Sequence, residues 1–379
     1  MEANGKRSTP LNVLTLDGGG MRGLYTTTVL ETLTHRFSAE GSSIVDLGKG
    51  FDVIVGTSTG AILAAGLSAG VNIGEIARLY RDLGGKIFPD PMPDYSRTER
   101  LSRRLKFWKW LCRHHSSPGS DGTALRSALI DVFGNETLGD LHQRRNIGLC
   151  IVSTALHRHQ PWVFKTPHLS SYDRDLRTTI SDACLASAAA PIYLPLAEVS
   201  GQTTNGAHIF ADGGLWANNP VMIGITEALL MAENDRPIRV LSLGTCPVPP
   251  GEVDRKLHRG LMDWRAGAGA LELAMNAQSQ AAQHQAEHLV RALKRRGIDI
   301  EVVRLKESPP SGTMARCIGL DRANEEAVQA LINHGETDGN EAYRMVQRGT
   351  SEGNLINEIF TRMPRSGGDL TTTNSNKQP

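Results

Sequence analysis

From Val53 to Gly74 the chain carries no charged side chain, and a glycine-flanked serine, Gly56-Thr-Ser-Thr-Gly60, interrupts this apolar run. Length alone would allow a membrane span, which takes about 20 apolar residues. The interruption favours a buried strand, a tight turn and a buried helix, which have the same composition. The spacing predicts a strand over Phe51–Val55 and a helix over Ser58–Ala69. A strand and a helix this apolar need covering layers, so the unit belongs inside an α/β protein.

The rest of the chain repeats the alternation. Leu11–Leu16 reads as a buried strand, Met21–Phe37 as a helix and Ile73–Leu83 as another helix. Residues 84–122 break the pattern with Pro89, Pro91, Pro93 and Pro118, which marks an insertion. Asp121 then caps a helix to Phe133, as Asp does at an N-terminus. Strands follow at Ile147–Ser153, Trp162–Phe164, His208–Ala211, Val240–Leu243 and Ile300–Leu305. Helices are expected at Leu176–Ala189, Pro220–Ala232, Leu261–Arg296 (broken near Gly267–Gly269), Asn324–Asn333 and Glu341–Gln347. This alternation predicts an α/β fold with helices on both faces of the sheet.

Composition narrows the class. A net charge of +1 predicts neither nucleic-acid wrapping nor an acidic tail, so no nucleic-acid polymer is expected as partner. The five cysteines are odd in number, widely spaced and without C-x-x-C, which argues against a disulfide framework or zinc site and for a reducing compartment. MEANGKRSTP has no apolar core of the kind a signal peptide needs.

Three glycine-bearing motifs each follow a predicted strand, at the end where open α/β sheets gather their sites. Asp17-Gly-Gly-Gly-Met-Arg-Gly23 opens a helix, and such a loop can aim several N–H groups at a phosphate or an oxyanion. It also satisfies G-x-G-x-x-G, which keeps an NAD- or FAD-dependent enzyme as a rival. That rival expects an acid at the end of the next strand, whereas Asp46 precedes it. Gly56-Thr-Ser-Thr-Gly60 matches the nucleophile elbow, in which a serine projects from a strained strand-to-helix turn. Asp212-Gly213-Gly214 places an acid about 150 residues further on; alone it reads as a turn. Together they supply an oxyanion loop, a nucleophile and an acid.

D-G-G-G-x-R-G, G-T-S-T-G and D-G-G in this order resemble the patatin-like phospholipase family. Lys86-Ile-Phe-Pro89, Ala188-Ala-Ala-Pro191 and Ser242-Leu-Gly-Thr245 agree, and the likeness runs from Leu11 to Leu243, departing at Cys246. The resemblance implies a three-layer α/β fold with a mostly parallel central sheet and a helical C-terminal part. It divides the chain into a flexible N-terminus (1–10), a catalytic core (11–245) holding the insertion (84–122), a helical part of the same domain (246–363) and a disordered tail (364–379).

The resemblance also implies a lipid acyl hydrolase of phospholipase A type using a Ser–Asp dyad without histidine. Ser58 would attack the ester, Asp212 would accept its proton, and the amides of Gly18, Gly19 and Gly20 would hold the oxyanion. Asp17, Arg22, Gly23, Gly56, Gly60, Gly213 and Gly214 would support the motifs, and Arg22 either steadies the loop or meets a lipid phosphate. No cofactor or metal is required in this scheme. A free Asp, with a pKa of about 3.9, is a poor general base, so the scheme needs a dry, apolar site. His284, His288 and His334 would complete a Ser, Asp, His order as a chemical alternative, although each falls in a helical context that favours solvent exposure.

Residues 97–115, RTERLSRRLKFWKWLCRHH, hold seven Arg or Lys against one Glu. Leu101, Leu105, Trp108 and Leu111 fall at helical spacing, so this helix either lies on an anionic bilayer or packs with a solvated basic face. Arg103, Arg104, Trp108 and Trp110 are the candidate lipid or anion contacts, and the segment is a candidate lid. LDGGGMRGLYTTTVLE with FDVIVGTSTGAI is similar to short bacterial family members that act as anti-phage effectors switched on by a cyclic dinucleotide. That likeness implies membrane phospholipids and a cyclic dinucleotide as partners, a cytoplasmic protein that meets the inner membrane when active, and a candidate homo-oligomer. A catalytically silent binding protein is the remaining alternative, disfavoured because Ser58 and Asp212 are both present.

Overall fold

The computed structural model describes residues 9–38, 44–93, 101–200, 207–233, 236–246 and 257–366. Most of the expected flexible N-terminus, and the tail from residue 367, lie outside the described residues. In chain order the elements begin with β1 (Leu11–Leu16), α1 (Gly23–Ser38), β2 (Ile44–Val45), β3 (Val53–Thr57), α2 (Thr59–Ala69) and α3 (Ile73–Ile87). The insertion contributes α4 (Leu101–Arg113), followed by α5 (Thr123–Phe133), α6 (Leu138–Arg145), β4 (Gly148–Ala155) and β5 (Gln160–Lys165). Next come α7 (Ile180–Ala188), β6 (Ala197–Ser200), β7 (Ala207–Asp212), α8 (Gly214–Ala217), α9 (Val221–Met231) and β8 (Ile238–Leu243). The C-terminal part holds α10 (Ala268–Lys294), β9 (Ile300–Arg304), α11 (Met314–Cys317), α12 (Glu325–Gln347), α13 (Ser351–Thr361) and β10 (Arg365–Ser366).

One sheet of eight strands forms the middle layer in the order β6-β7-β4-β3-β1-β8-β9, with β5 also on β4. β4, β3, β1, β8 and β9 run parallel, while β5, β6 and β7 join antiparallel. The side-chain period of two sends Leu14, Leu16, Ile54 and Leu241 into one core and Val13, Val53, Val55 and Val240 into the other. The first core also takes residues of α1, α2, α3, α7 and α12, the second those of α9 and α10. Both faces are covered, as the apolar strands require. Among the described residues no helix is long and apolar enough to cross a membrane. The uncharged stretch from Val53 resolves into β3, the turn at Ser58 and α2.

Three departures have physical causes. The expected helices over 324–333 and 341–347 are one continuous α12, with Gly335 and Gly339 inside it. A Cβ at Gly335 would stand 2.9 Å from the Tyr25 carbonyl and one at Gly339 3.1 Å from that of Val29, so two glycines one turn apart let α12 lie directly on the backbone of α1. The predicted helix from Leu176 begins only at Ile180, where the Thr179 side chain accepts from the Asp182 amide as N-cap. Arg365–Ser366, expected in the disordered tail, pairs antiparallel with β2.

Candidate active site

The meeting of Ser58 and Asp212 follows from strand register. β3 pairs with β4 up to Thr57 opposite Val152, and β7 pairs with the next residues, Asp212 falling opposite Ser153. β5 occupies the other edge of β4 over Cys150–Ala155, so β3 and β7 must share one edge. Their carboxyl ends therefore arrive head to head on the same strand. Each chain then leaves the sheet as a helix, α2 and α8.

Ser58 stands at this junction with φ 54° and ψ −122°, a conformation an L-residue holds only under constraint. The constraint is packing: a Cβ on Gly56 would lie 2.2 Å from the Gly60 carbonyl, and one on Gly60 2.3 Å from that of Leu16. The Ser58 amide donates to the Ser187 hydroxyl at 2.7 Å, and Ser187 donates to the Val152 carbonyl at 2.5 Å. The Ser58 hydroxyl donates to Asp212 Oδ2 at 2.6 Å. Asp212 Oδ1 accepts from the Gly214 amide at 2.6 Å, and the Gly213 amide donates to the Ser187 carbonyl. Both carboxylate oxygens are thus fixed.

Asp212 is 4% exposed and Ser58 7%. Burial pushes the Asp212 carboxyl up to about 6, against the opposing pull of the Ser58 hydroxyl and the Gly214 amide. A carboxylate with that proton affinity is a far better base near neutrality than an ordinary Asp. Hydrolysis of a soluble short-chain ester is therefore expected to rise about tenfold per pH unit below a midpoint near 6 and to level above it, because only the unprotonated carboxylate can accept the serine proton. A kcat/KM–pH profile measures this, and a midpoint near 4 would remove burial as the controlling cause.

The glycine loop lies across the junction. Gly19 and Gly20 line the same cleft as Ser58 and Asp212. No acceptor among the described residues takes either amide. Gly18 differs: its amide donates to the Asn218 carbonyl at 2.9 Å, so it is already committed and cannot also serve an oxyanion without leaving that bond. Arg22 steadies the loop, its Nε donating to the Gly19 carbonyl at 3.4 Å. Gly23 starts α1 against Thr59. Thr245, from the Ser-Leu-Gly-Thr motif, donates to the Gly18 carbonyl, and the Met21 amide donates to the Leu320 carbonyl.

Arg304, at the end of β9, forms a forked pair with Asp17, at 2.6 and 3.1 Å, and also reaches the Ser242 hydroxyl. This clamp, with Ser187, Asn218 and Leu320, belongs to the site but to none of the sequence motifs. The strand that carries Arg304 also carries Glu301, so charge alone does not single Arg304 out in the sequence. None of the three histidines raised as alternatives lines the cleft. His284 and His288 are exposed on α10, and His334 bonds the Ser308 carbonyl.

Above the pair lies a cleft, open to solvent, lined almost wholly by apolar side chains. Ile87 and Phe88 come from the Lys-Ile-Phe-Pro motif, Ala188, Ala190 and Pro191 from Ala-Ala-Ala-Pro, and Leu271 and Met275 from α10. The insertion helix α4 docks beside it through Phe107 and Trp110, which pack with Met92 and Ala268. Trp110 therefore does not face lipid: it is buried, with its ring N–H on the Asp90 carbonyl at 3.0 Å. Trp108 is 47% exposed and Leu105 60%, on a surface with Lys106, Lys109 and Arg113. The side chains of Arg103 and Arg104 lie outside the described residues.

A strained serine bonded to a desolvated carboxylate at the foot of an apolar cleft is the arrangement that serine acyl hydrolysis of lipid esters requires. A family model described as patatin-like phospholipase matches residues 14–225. A protein of Pseudomonas aeruginosa named cGAMP-activated phospholipase is 36% identical, over 72% of this chain and 73% of its own. Proteins of that name from Vibrio cholerae and Escherichia coli are 31% and 29% identical, over 86% and 89% of this chain and 89% and 91% of theirs. The chain belongs to the patatin-like phospholipase family.

Proposed function

We propose that this protein hydrolyses fatty-acyl esters of membrane phospholipids with Ser58 as nucleophile and Asp212 as its base, and that a cyclic dinucleotide switches it on. The 2.6 Å hydrogen bond between Ser58 and Asp212 in a dry apolar cleft carries the catalytic reading. Ser58 Oγ attacks the ester carbonyl as its proton passes to Asp212 Oδ2. The oxyanion forms against the Gly19 and Gly20 amides, and removing one such donor typically costs ~10²–10³ in rate. Asp212 returns the proton to the departing lysolipid alkoxide. Water then attacks the acyl-serine as its proton passes to Asp212, and Asp212 returns that proton to Ser58 Oγ as the C–O bond breaks and the fatty acid leaves.

The gating reading rests on the relatives named cGAMP-activated phospholipases and on chemistry: an unregulated membrane hydrolase would damage its own cell. Antiviral defence in the bacterial cytoplasm is the setting that suits such a switch. The exposed face of α4 is the proposed point of contact with the inner membrane, Leu105 and Trp108 entering the interface while Lys106 and Lys109 meet anionic headgroups and Arg113 stays paired with Asp90.

The test is fatty-acid release from vesicles of phosphatidylethanolamine and phosphatidylglycerol, by the purified protein alone and with cGAMP or other cyclic dinucleotides. At least tenfold stimulation by one dinucleotide is expected. Equal release without nucleotide would overturn the gating, and no release under any condition would overturn the phospholipase reading.

A further inference from the structure

A second cavity, open to solvent at one side, adjoins the cleft above Ser58. It lies between the start of α5, the end of α7 and the chain leading into β6. The two cavities share Leu125, Ala188 and Leu194, and all three are buried. The division between them is therefore no more than a side chain thick, and at one of its three positions that side chain is a single methyl. Inner surfaces of the second cavity are apolar, as at Leu185 and Ala189, whereas its charged members Asp121 and Arg126 are exposed. Leu196, 46% exposed, stands at its solvent side.

We propose that this second cavity is the distal half of the acyl site. It receives the methyl-terminal part of a long fatty-acyl chain whose ester carbonyl lies at Ser58, the chain passing beside Ala188 between Leu125 and Leu194. The inference rests on Ser58 being the nucleophile. Its physical basis is continuity. A chain anchored at Ser58 runs along apolar side chains, and the cavity beyond the shared wall offers further apolar surface, whereas the open mouth offers water. Burial of each additional methylene is worth about 0.8 kcal/mol, or about fourfold in kcat/KM while the chain still gains surface. Ala188 presents only a methyl at the shared wall, which gives the Ala-Ala-Ala-Pro motif a role in selecting chain length.

The test has two arms. In mixed micelles, kcat/KM is measured for glycerophospholipids carrying hexanoyl to octadecanoyl chains, with the wild type, Ala188→Val and Leu196→Trp. Leu196 lines only the second cavity and is exposed, so its replacement leaves the first cleft and the core in place. The ratio of octadecanoyl to hexanoyl kcat/KM is expected to fall on the order of tenfold to a hundredfold in both variants. In the second arm, a hexadecyl fluorophosphonate with a terminal diazirine is reacted with the wild type and irradiated. Label on Ser58 together with crosslinks at Leu185, Ala189, Leu196 or Ala197, which line only the second cavity, supports the proposal. Label on Ser58 with crosslinks only at Ile87, Phe88 or Met275, and an unchanged chain-length ratio in Leu196→Trp, overturns it. No label on Ser58 overturns the nucleophile reading and the proposal with it.

Discussion

Ser58→Ala and Asp212→Asn are each expected to lower phospholipid kcat/KM by about four orders of magnitude, the scale seen when one member of a nucleophile–base unit is removed. The double variant should lose little more than either alone, because the two residues act as one device. Stability should move the other way in Asp212→Asn. In the folded protein the Asp212 carboxyl titrates at about 6, above its ordinary 3.8, so the folded state binds the proton more tightly than the unfolded chain. Wild-type stability is thus lost as pH rises from about 4 to about 6, by roughly 3 kcal/mol once the carboxylate is charged. The neutral amide carries no such cost. Asp212→Asn should unfold at a higher temperature than the wild type at pH 8, with the difference shrinking toward pH 4. Melting curves at both pH values check this, and a variant less stable at pH 8 would show that burial of the charge costs the fold nothing.

Arg304→Met should be the most damaging change outside the pair. Methionine keeps an unbranched apolar stem but leaves Asp17 buried without its cation, and breaking a buried ion pair from one side typically costs about 3–5 kcal/mol. Activity should fall as well, because Asp17 begins the loop that presents the Gly19 and Gly20 amides. The discriminating experiment adds Asp17→Leu to Arg304→Met. Replacing both charges by apolar groups removes the desolvation penalty, so much of the melting temperature should return. Hydrolysis should not, because the loop has still lost the fork that holds it. Recovery of both would reduce the pair to a stabilising contact with no part in catalysis.

These two predictions divide along the line between what the sequence shows and what it hides. Ser58 was legible because a nucleophile elbow needs glycines at fixed offsets, and Gly56 and Gly60 abut backbone carbonyls at 2.2 and 2.3 Å. Asp212 was legible by its glycines and strand end, but its approach was not. The sequence carries no sign that β7 runs antiparallel and meets β3 end to end on β4. Arg304 had no local signature, since its partner lies 287 residues away and ion-pair geometry leaves no spacing rule. Gly18 looked equivalent to Gly19 and Gly20 because sequence cannot show that the Asn218 carbonyl takes its amide. On α4 helical periodicity picked out Leu105 and Trp108, which turn out, but not Phe107, and Trp110, expected to meet lipid, turns inward with it. The glycines of α12 read as a break because intrinsic propensity disfavours them, and packing against α1 outweighs that preference.

The distance between Asp17 and Arg304 also bears on biosynthesis. A ribosome that has made β1, the serine elbow and Asp212 has made both reacting groups, yet the loop beside them has no clamp until β9 emerges. The Leu320 carbonyl, which accepts from the Met21 amide, comes later still. At roughly 5–20 residues per second, the interval between Asp212 and Arg304 is on the order of five to twenty seconds. Throughout that time, and in any chain cut short within it, the hydrolase lacks its oxyanion loop anchor. Translation order thus leaves the glycine loop of every unfinished copy without the fork between Asp17 and Arg304.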